Sequence, residues 1–482
     1  MSKNNEKILL DSVFTRRHFL QLAASTTAAM ALNPFGEAFA SCFVGELNDY
    51  VNLAILADIH YYAPELGTTG SAFQDYLAGD RKMLVESKTT LASAIHSIKQ
   101  SNAQIVLICG DLTKDGELLC HQQVAQALRQ LTSVGKKVFV INGNHDIYNP
   151  AAYSYSGASQ TRVANVGPKE FKSIYSEFGY SQAIATDPNS LSYVVEPVSG
   201  LRIVIMDSCK YAANNSAPVT SGALSDSRLS WIKTQIQVAT ARGKTIIAMM
   251  HHGIVPHFSA QPVFFSDYVL DNYSQVGETL SSLGLKVVFT GHFHAQNISK
   301  ATFGSNTLMD IETGSLVTYP IPYRFIQLTP DRTKFKITSS KVTSTDYPIA
   351  PLSFQDYAKN FTAGNMKDLI VSQFAAIIVS SSPSTSLAQA TAMAAGFAAK
   401  QVSTNLTVSD LFVNAMLAHY AGDVNPDAQT KYIYQSMATS TADQFTPMLG
   451  RFLVSIGARP ALGGDNNLNV NFTTANLYNG ML

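Results

Sequence analysis

Apolar residues in this chain gather in short continuous runs, set off by stretches with a different period. Val51 to Ala57, Gln104 to Cys109, Lys137 to Ile141, Lys244 to Met250 and Lys286 to Thr290 each form such a run. Runs of this length predict strands buried on both faces. Between them the spacing becomes helical. Glu117 to Val134 carries Leu128, Leu131 and Val134 at three-residue steps, and Asp226 to Arg242 carries Leu229, Ile232 and Ile236 before Gly243. Strands alternating with helices predict an α/β sheet. From about Asp346 the runs give way to helical patterns at Met366 to Val379, Ser386 to Lys400, Val408 to Tyr420 and Asp427 to Met437, and the Asn-rich end from Asp465 reads as loop. The expected organisation is a leader at 1–40, an α/β domain at 41–345 and a helical accessory domain at 346–482.

Every predicted strand runs straight into metal-ligand chemistry. Asp58-Ile59-His60 follows the first, Gly110-Asp111 the second, Gly143-Asn144-His145-Asp146 the third, His251-His252 the fourth and Gly291-His292-Phe293-His294 the fifth. Six of the 11 histidines occupy these positions, an order that scattered structural residues seldom produce. In open α/β sheets the carboxyl ends of the strands form the ligand-binding edge, so distant segments deliver their side chains to one place. The residue types suit two divalent cations about 3.5 to 4 Å apart, which need a bridging anionic oxygen and several neutral donors each. Asp-x-His and His-x-His are expected to send their outer residues one way and the apolar Ile59 and Phe293 the other, as an extended segment does. The glycines at 110, 143 and 291 are expected to permit a sharp turn at the strand end.

Composition narrows the alternatives. With 46% hydrophobic residues the chain is not disordered throughout, and with Lys plus Arg and Asp plus Glu both at 34 it offers no polyanion-binding surface, so nucleic acid is not an expected partner. Its four cysteines include no CxxC pair, which argues against a zinc-thiolate site and a disulfide framework. Cys109 reads as an inert buried thiol, and Asp207 and Cys209 as structural.

Asp58-x-His60, Gly110-Asp111, Gly143-Asn144-His145-Asp146, His251 and Gly291-His292-x-His294, in this order, resemble the calcineurin-like metallophosphoesterase signature over roughly residues 52–345. The resemblance implies a four-layer αββα sandwich of two β-sheets, followed here by the α-helical C-terminal domain, with a two-metal site at the sheet edge. It implies that Asp58, His60 and His294 hold one divalent metal, that Asn144, His251 and His292 hold the other, and that Asp111 bridges them. His251 is preferred to His252 because the family's fourth block places the ligand directly after the strand. The resemblance also implies that His145 faces the substrate, where it stabilises developing charge or protonates the leaving alkoxide, and that Asp146 hydrogen-bonds the other nitrogen of its ring. A hydroxide between the metals would attack phosphorus in line. Iron, manganese, zinc, cobalt and nickel all suit this donor set.

Gly110-Asp111-Leu112-Thr113 followed by Asp115-Gly116 looks closer to the class III cyclic-nucleotide and glycerol phosphodiesterase branch, and the stretch lacks the tyrosine of purple acid phosphatases. The expected activity is therefore hydrolysis of a small phosphate ester, a diester first, with a phosphomonoester or nucleotide as the alternative. A non-catalytic metal- or ligand-binding protein is the remote alternative. It would show a lost ligand or a replaced His145, and the sequence shows neither. Tyr61, Tyr62, His257 and Phe258 follow the first and fourth blocks and could rim a substrate pocket or equally pack a buried loop.

Thr15-Arg16-Arg17-His18-Phe19-Leu20, the apolar run to Leu32 and Ala38-Phe39-Ala40 resemble a twin-arginine export signal, which implies the export machinery as a partner, cleavage after Ala40 and a periplasmic or extracellular destination. The run is too short and too interrupted for a membrane span. Lipid attachment at Cys42 is the lesser alternative. Nothing in the sequence specifies an oligomeric state.

Overall fold

Two seven-stranded sheets carry the architecture. The computed structural model describes residues 49–458, 464–472, 474, 476 and 477; the expected leader, its cleavage point and Cys42 lie outside them. Edge to edge, one sheet runs Asn476–Leu477, Asn467–Asn471, Lys334–Lys341, Pro322–Leu328, Val51–Leu56, Ile105–Cys109 and Lys137–Ile141. The other runs Asn297–Phe303, Asn306–Glu312, Val287–Thr290, Thr245–Met250, Leu201–Met206, Tyr193–Val198 and Ala185–Thr186. Val51–Leu56, Ile105–Cys109 and Lys137–Ile141 are mutually parallel neighbours, as are Leu201–Met206, Thr245–Met250 and Val287–Thr290.

The continuous apolar runs are explained by the two faces they must cover. In the second sheet Ile203, Ile205, Ile247, Met249, Val287 and Phe289 enter the core shared with the first sheet. Val204, Met206, Ile246, Ala248, Met250 and Val288 point the other way, onto Leu229, Ile232 and Ile236 of helix Asp226–Ala241 and Val276 and Leu280 of helix Tyr273–Ser282. Helices Ser87–Gln100 and Leu118–Thr132 contribute Leu91, Ile95, Val124 and Leu128 to the first sheet's core. These are the four expected layers, and each face of each inner strand has apolar cover.

Helices Phe354–Ser381, Leu387–Ala398, Val408–Ala421, Ala428–Ala438 and Phe445–Ile456 follow. Ser353, Ser386, Thr407 and Asp427 cap the first four by accepting a backbone N–H with the side chain. Their apolar faces form a second core that also takes in Phe258, Phe265 and Phe293. The Asn-rich end is not loop throughout: Asn467–Asn471 returns to the first sheet and pairs with Lys334–Lys341. Asparagine has low strand propensity, and here an available edge overrides it. Val51–Leu482 accordingly forms one compact unit. Among the described residues no helix is long and apolar enough to cross a membrane.

Glu196 ties the second sheet's outer strands together, accepting from Arg202 Nε at 2.8 Å, Lys244 Nζ at 2.5 Å and the Gly200 amide at 3.1 Å. Burial opposes its charge, but these donors outweigh it and bring its pKa down to about 2. A carboxyl depressed on folding stabilises the protein above its unfolded pKa, and that contribution is lost as pH falls toward the folded value. Glu196→Gln should therefore cost about 1 to 2 kcal/mol at pH 7, and the gap in melting temperature from the wild type should close as pH drops from about 4.5 toward 2. A gap independent of pH would show that the charge contributes nothing.

Candidate metal centre

The strand ends of both sheets meet. In the first sheet the amides of Asp58 and His60 bond the carbonyls of Gly110 and Asp111 at 3.1 and 2.9 Å. In the second the Gly291 amide bonds the His251 carbonyl at 3.0 Å. The sheets are then stitched together: the His292 amide donates to Asp58 Oδ2 at 2.9 Å, His251 Nδ1 donates to the Cys109 carbonyl at 2.8 Å, and His251 Nε2 lies 3.0 Å from Asn144 Oδ1.

The Asp-x-His and His-x-His segments are not extended, as expected from the sequence, but bent. Asp58, His60, Asp111, His292 and His294 all have φ between 41° and 82°, a region that side-chain-bearing residues rarely adopt and that functional sites tolerate at some cost. The bend still turns Ile59 into the sandwich core and Phe293 into the helical region's core. Of the three glycines only Gly110, at φ 87°, uses its conformational freedom. Gly143 is required by close approach, because a Cβ there would lie 2.1 Å from Asp111 Oδ1. Gly143→Ala should displace Asp111 and cost more than roughly 100-fold in turnover, since an ångström of misplacement has that effect, while the circular dichroism spectrum stays unchanged. Unaltered activity would mean that Asp111 needs no such placement.

Asp58, His60 and His294 form one potential metal-holding group and Asp58, Asp111 and His251 another. His60 Nε2 and His294 Nε2 stand 3.1 Å apart, and Asp111 Oδ2 lies 3.4 Å from both His60 Nε2 and His251 Nε2. Donors that share a cation at about 2.1 Å are spaced in this way. His60 and His294 are buried and held neutral, chiefly by burial, as ligands must be. Burial also works against a proton on His251, yet the Asp111 carboxylate outweighs it and raises its pKa to about 10; a cation would displace that proton. His292 spends Nε2 on the Asp267 carbonyl at 2.9 Å, which leaves Nδ1 as donor. His252 lies beside His251 and His292, but its two nitrogens are engaged by Ser208 Oγ at 2.7 Å and the Thr220 carbonyl at 2.9 Å. All seven residues expected to bind metal are therefore brought together, and this donor set fits divalent cations.

His145 faces the recess with its side chain 22% exposed, and Asp111 Oδ1 accepts its amide at 2.9 Å. Its orienting carboxylate is Asp115, not Asp146. His145 Nδ1 lies 2.8 Å from Asp115 Oδ1, which also accepts from Asn149 Nδ2 at 3.1 Å. Asp146 faces away from that ring, accepting the amides of Gly143, Leu112 and Thr113 at 2.8, 3.1 and 3.0 Å and the Thr113 hydroxyl at 2.9 Å. It pins the two ligand loops together. Burial pushes its pKa up to about 6. Burial would raise Asp115 as well, but Lys114 Nζ, which donates to its Oδ2, holds it well below the usual carboxylate range. Burial and Lys82 oppose a charge on His145, and Asp111 and Asp115 together outweigh them.

Of the two roles open to the aromatics and His257, the structure shows packing. Tyr61 is buried with its hydroxyl on Gln123 Oε1 at 2.5 Å, Tyr62 bonds the carbonyls of Leu66 and Tyr153 at 3.0 Å, and Phe258 belongs to the helical region's core. The His257 side chain is 2% exposed, between Glu312 Oε2 at 2.9 Å and His419 Nε2 at 3.1 Å. The recess beside the clusters is instead walled by Arg81, Lys82, Thr220 and Tyr268 and holds ≈ 110 Å³. Tyr268 stacks on His292 with ring centroids 4.9 Å apart. None of these four follows a strand, so the strand-end pattern gave no sign of them.

The profile of the family described as calcineurin-like phosphoesterase matches residues 51–296. Similar solved structures include a dimetal phosphatase from Danio rerio, 15% identical with a TM-score of 0.44, covering 60% of this chain and 95% of that one. A purple acid phosphatase from yellow lupin is 9% identical with a TM-score of 0.39, covering 61% of this chain and 52% of that one. A 5'-nucleotidase precursor from Thermus thermophilus is 12% identical with a TM-score of 0.35, covering 67% of this chain and 60% of that one. No match was found among curated proteins.

Proposed function

This chain belongs to the calcineurin-like phosphoesterase family, and on that premise we propose that its two acid-imidazole clusters hold a pair of divalent cations and that it hydrolyses a small phosphate ester, with His145 as general acid. The observation that carries this reading is the juxtaposition of the partly exposed His145, oriented through Nδ1 by Asp115 at 2.8 Å, with two buried ligand groups that share Asp58 and are spanned by Asp111, whose Oδ2 lies 3.4 Å from both His60 Nε2 and His251 Nε2. Bound cations would polarise the phosphoryl oxygens and acidify the attacking water. The chain's own part is then positional and protic. Asp58 and Asp111 bring negative charge to the site, the neutral imidazoles complete the donor set, and Asn144 sets its amide oxygen against His251. With Nδ1 committed to Asp115, His145 keeps Nε2 for the substrate and can give a proton to the leaving oxygen as its bond to phosphorus breaks. Asp115 stabilises the imidazolium and, fixed by Lys114, does not take that proton itself.

Ester class is where two observations pull apart. The blocks after the second and third strands resemble a diesterase, while a recess of ≈ 110 Å³, far below the roughly 300 Å³ of an ordinary small-molecule pocket, suits a monoester. The leader-like residues 15–40 support an exported location. One experiment tests the whole reading: purify the mature protein from the periplasmic fraction, count metals per chain, and compare turnover of an aryl phosphomonoester, an aryl phosphodiester and a cyclic nucleotide before and after chelation. Two divalent ions per chain and chelator-sensitive hydrolysis are expected. A metal-replete protein inert on all three esters would refute it, and recovery only from the cytoplasm would refute export.

A further inference from the structure

Arg81 carries a buried guanidinium N–H that no described residue accepts. It stands with Lys82 on the connection between helices Ser71–Ala78 and Ser87–Gln100, and both line the recess with Asp111, Asn144 and His294. Lys82 is matched by Asp80, 3.2 Å from its Nζ. Arg81 has no such match: among the described residues no carboxylate oxygen lies within 4.0 Å of it. Its Nη2 donates to the Tyr268 hydroxyl at 3.4 Å, and its buried Nε has no hydrogen-bond partner among the described residues. A guanidinium with an unpaired buried donor is costly unless an anion completes it, and its planar fork is shaped for phosphate oxygens.

The helical region places this side chain. Asn365, on helix Phe354–Ser381, donates to the carbonyls of Asp80 at 2.7 Å and Leu77 at 3.4 Å, holding the connection from behind. Tyr420, on helix Val408–Ala421, sets its hydroxyl against the guanidinium. An ester that meets Arg81 must therefore offer charge there and not bulk. A phosphomonoester near neutral pH carries a third non-ester oxygen and close to two negative charges. A diester has one charge and a second alkoxy group, which would need apolar room in a recess of ≈ 110 Å³ and would leave the guanidinium unpaired.

We propose that Arg81, supported by Lys82, is the specificity-determining residue of this site, that it receives the additional oxygen of a compact phosphomonoester dianion, and that the helical region serves to hold it there. This rests on the hydrolase reading above but has its own readout. By calorimetry, the metal-loaded Arg81→Gln protein should bind inorganic phosphate roughly 10- to 100-fold more weakly than the wild type, the effect of losing a charged hydrogen-bond partner. The wild type should prefer the aryl monoester to the aryl diester, and Arg81→Gln should lower kcat/KM on the monoester by a similar factor, chiefly through KM, and on the diester by a clearly smaller one. Asn365→Ala should move the ester ratio the same way by a smaller factor. Arg81→Lys, which keeps the charge and loses the fork, should fall between the two proteins and replaces Arg81→Gln if that variant does not fold. Equal phosphate affinity in wild type and variant, or equal losses on both esters, overturns the proposal; an unshifted ratio in Asn365→Ala overturns the role of the helices. Phosphate binding that depends on Arg81 in a protein inert on every ester would remove the hydrolase reading and leave the anion site standing.

Discussion

Asp111→Asn should abolish metal binding and lower turnover by roughly 10⁴-fold, the scale seen when one member of a catalytic unit is removed. The two carboxylate oxygens have different tasks. Oδ1 accepts the His145 amide at 2.9 Å, and Oδ2 lies 3.4 Å from both His60 Nε2 and His251 Nε2. An asparagine can keep the first contact through its carbonyl oxygen, so the loop at 143–146 should stay folded. It replaces the second oxygen with an NH₂ group, which directs protons toward the place where two cations would sit. The carboxylate that holds the His251 proton goes as well. The check is metal per chain by elemental analysis, with circular dichroism to confirm the fold. A variant that retains two metals and loses less than tenfold in rate would remove Asp111 from its bridging position.

The second expectation separates the two acids beside His145. His145→Ala should leave the metal count intact and cost roughly 10² to 10⁴-fold, the usual contribution of a positioned acid, with the larger loss on alkyl esters, whose leaving oxygens need the proton most. Asp115→Asn should reproduce part of that loss and also change the pH profile. Asp115 is one of the charges that raise the His145 pKa. A general acid works in its protonated form, so the rate falls as pH rises through that pKa. Without Asp115 the pKa drops and the fall should begin at lower pH. Asp146→Asn should not move the profile. It weakens the clamp on the amides of Gly143, Leu112 and Thr113 and should appear as a lower melting temperature. If Asp146→Asn shifts the profile and Asp115→Asn does not, the assignment is reversed.

What could be read from the residues alone follows from where the signal lay. A strand buried on both faces must be apolar throughout, so the runs at 51–57, 104–109, 137–141, 244–250 and 286–290 fall within a residue of the strands, and the ligands after them were legible because parallel strands share one open end. Asp115 was missed because adjacency favours Asp146, whereas the bend after Asn144 turns that side chain back toward the loop amides. Nothing in the order of residues indicates that turn. Tyr61 and His257 sit next to ligands in sequence but on the inward side of their loops, where Gln123, Glu312 and His419 absorb their polar atoms. Arg81 lies in the Asp80-Arg81-Lys82 run, apart from every strand-end block, and the connection that carries it is held by Asn365 far along the chain. Lys334–Lys341 and Asn467–Asn471 alternate apolar residues, Phe335, Ile337, Leu468 and Val470, with polar ones, the two-residue period of a strand open on one face, so they lay outside the continuous apolar runs that marked the buried strands.

The return of Asn467–Asn471 to the sheet that Val51–Leu56 helps to build governs the order in which the molecule can be completed. As the chain emerges from the ribosome, the flank of Lys334–Lys341 stays bare through the synthesis of five helices, and backbone groups left open in this way invite pairing with a neighbouring nascent chain. The mature state is therefore reached only late in translation, and whatever shields that flank in the interval, a chaperone or the speed of elongation itself, bears on yield as much as any contact in the finished protein.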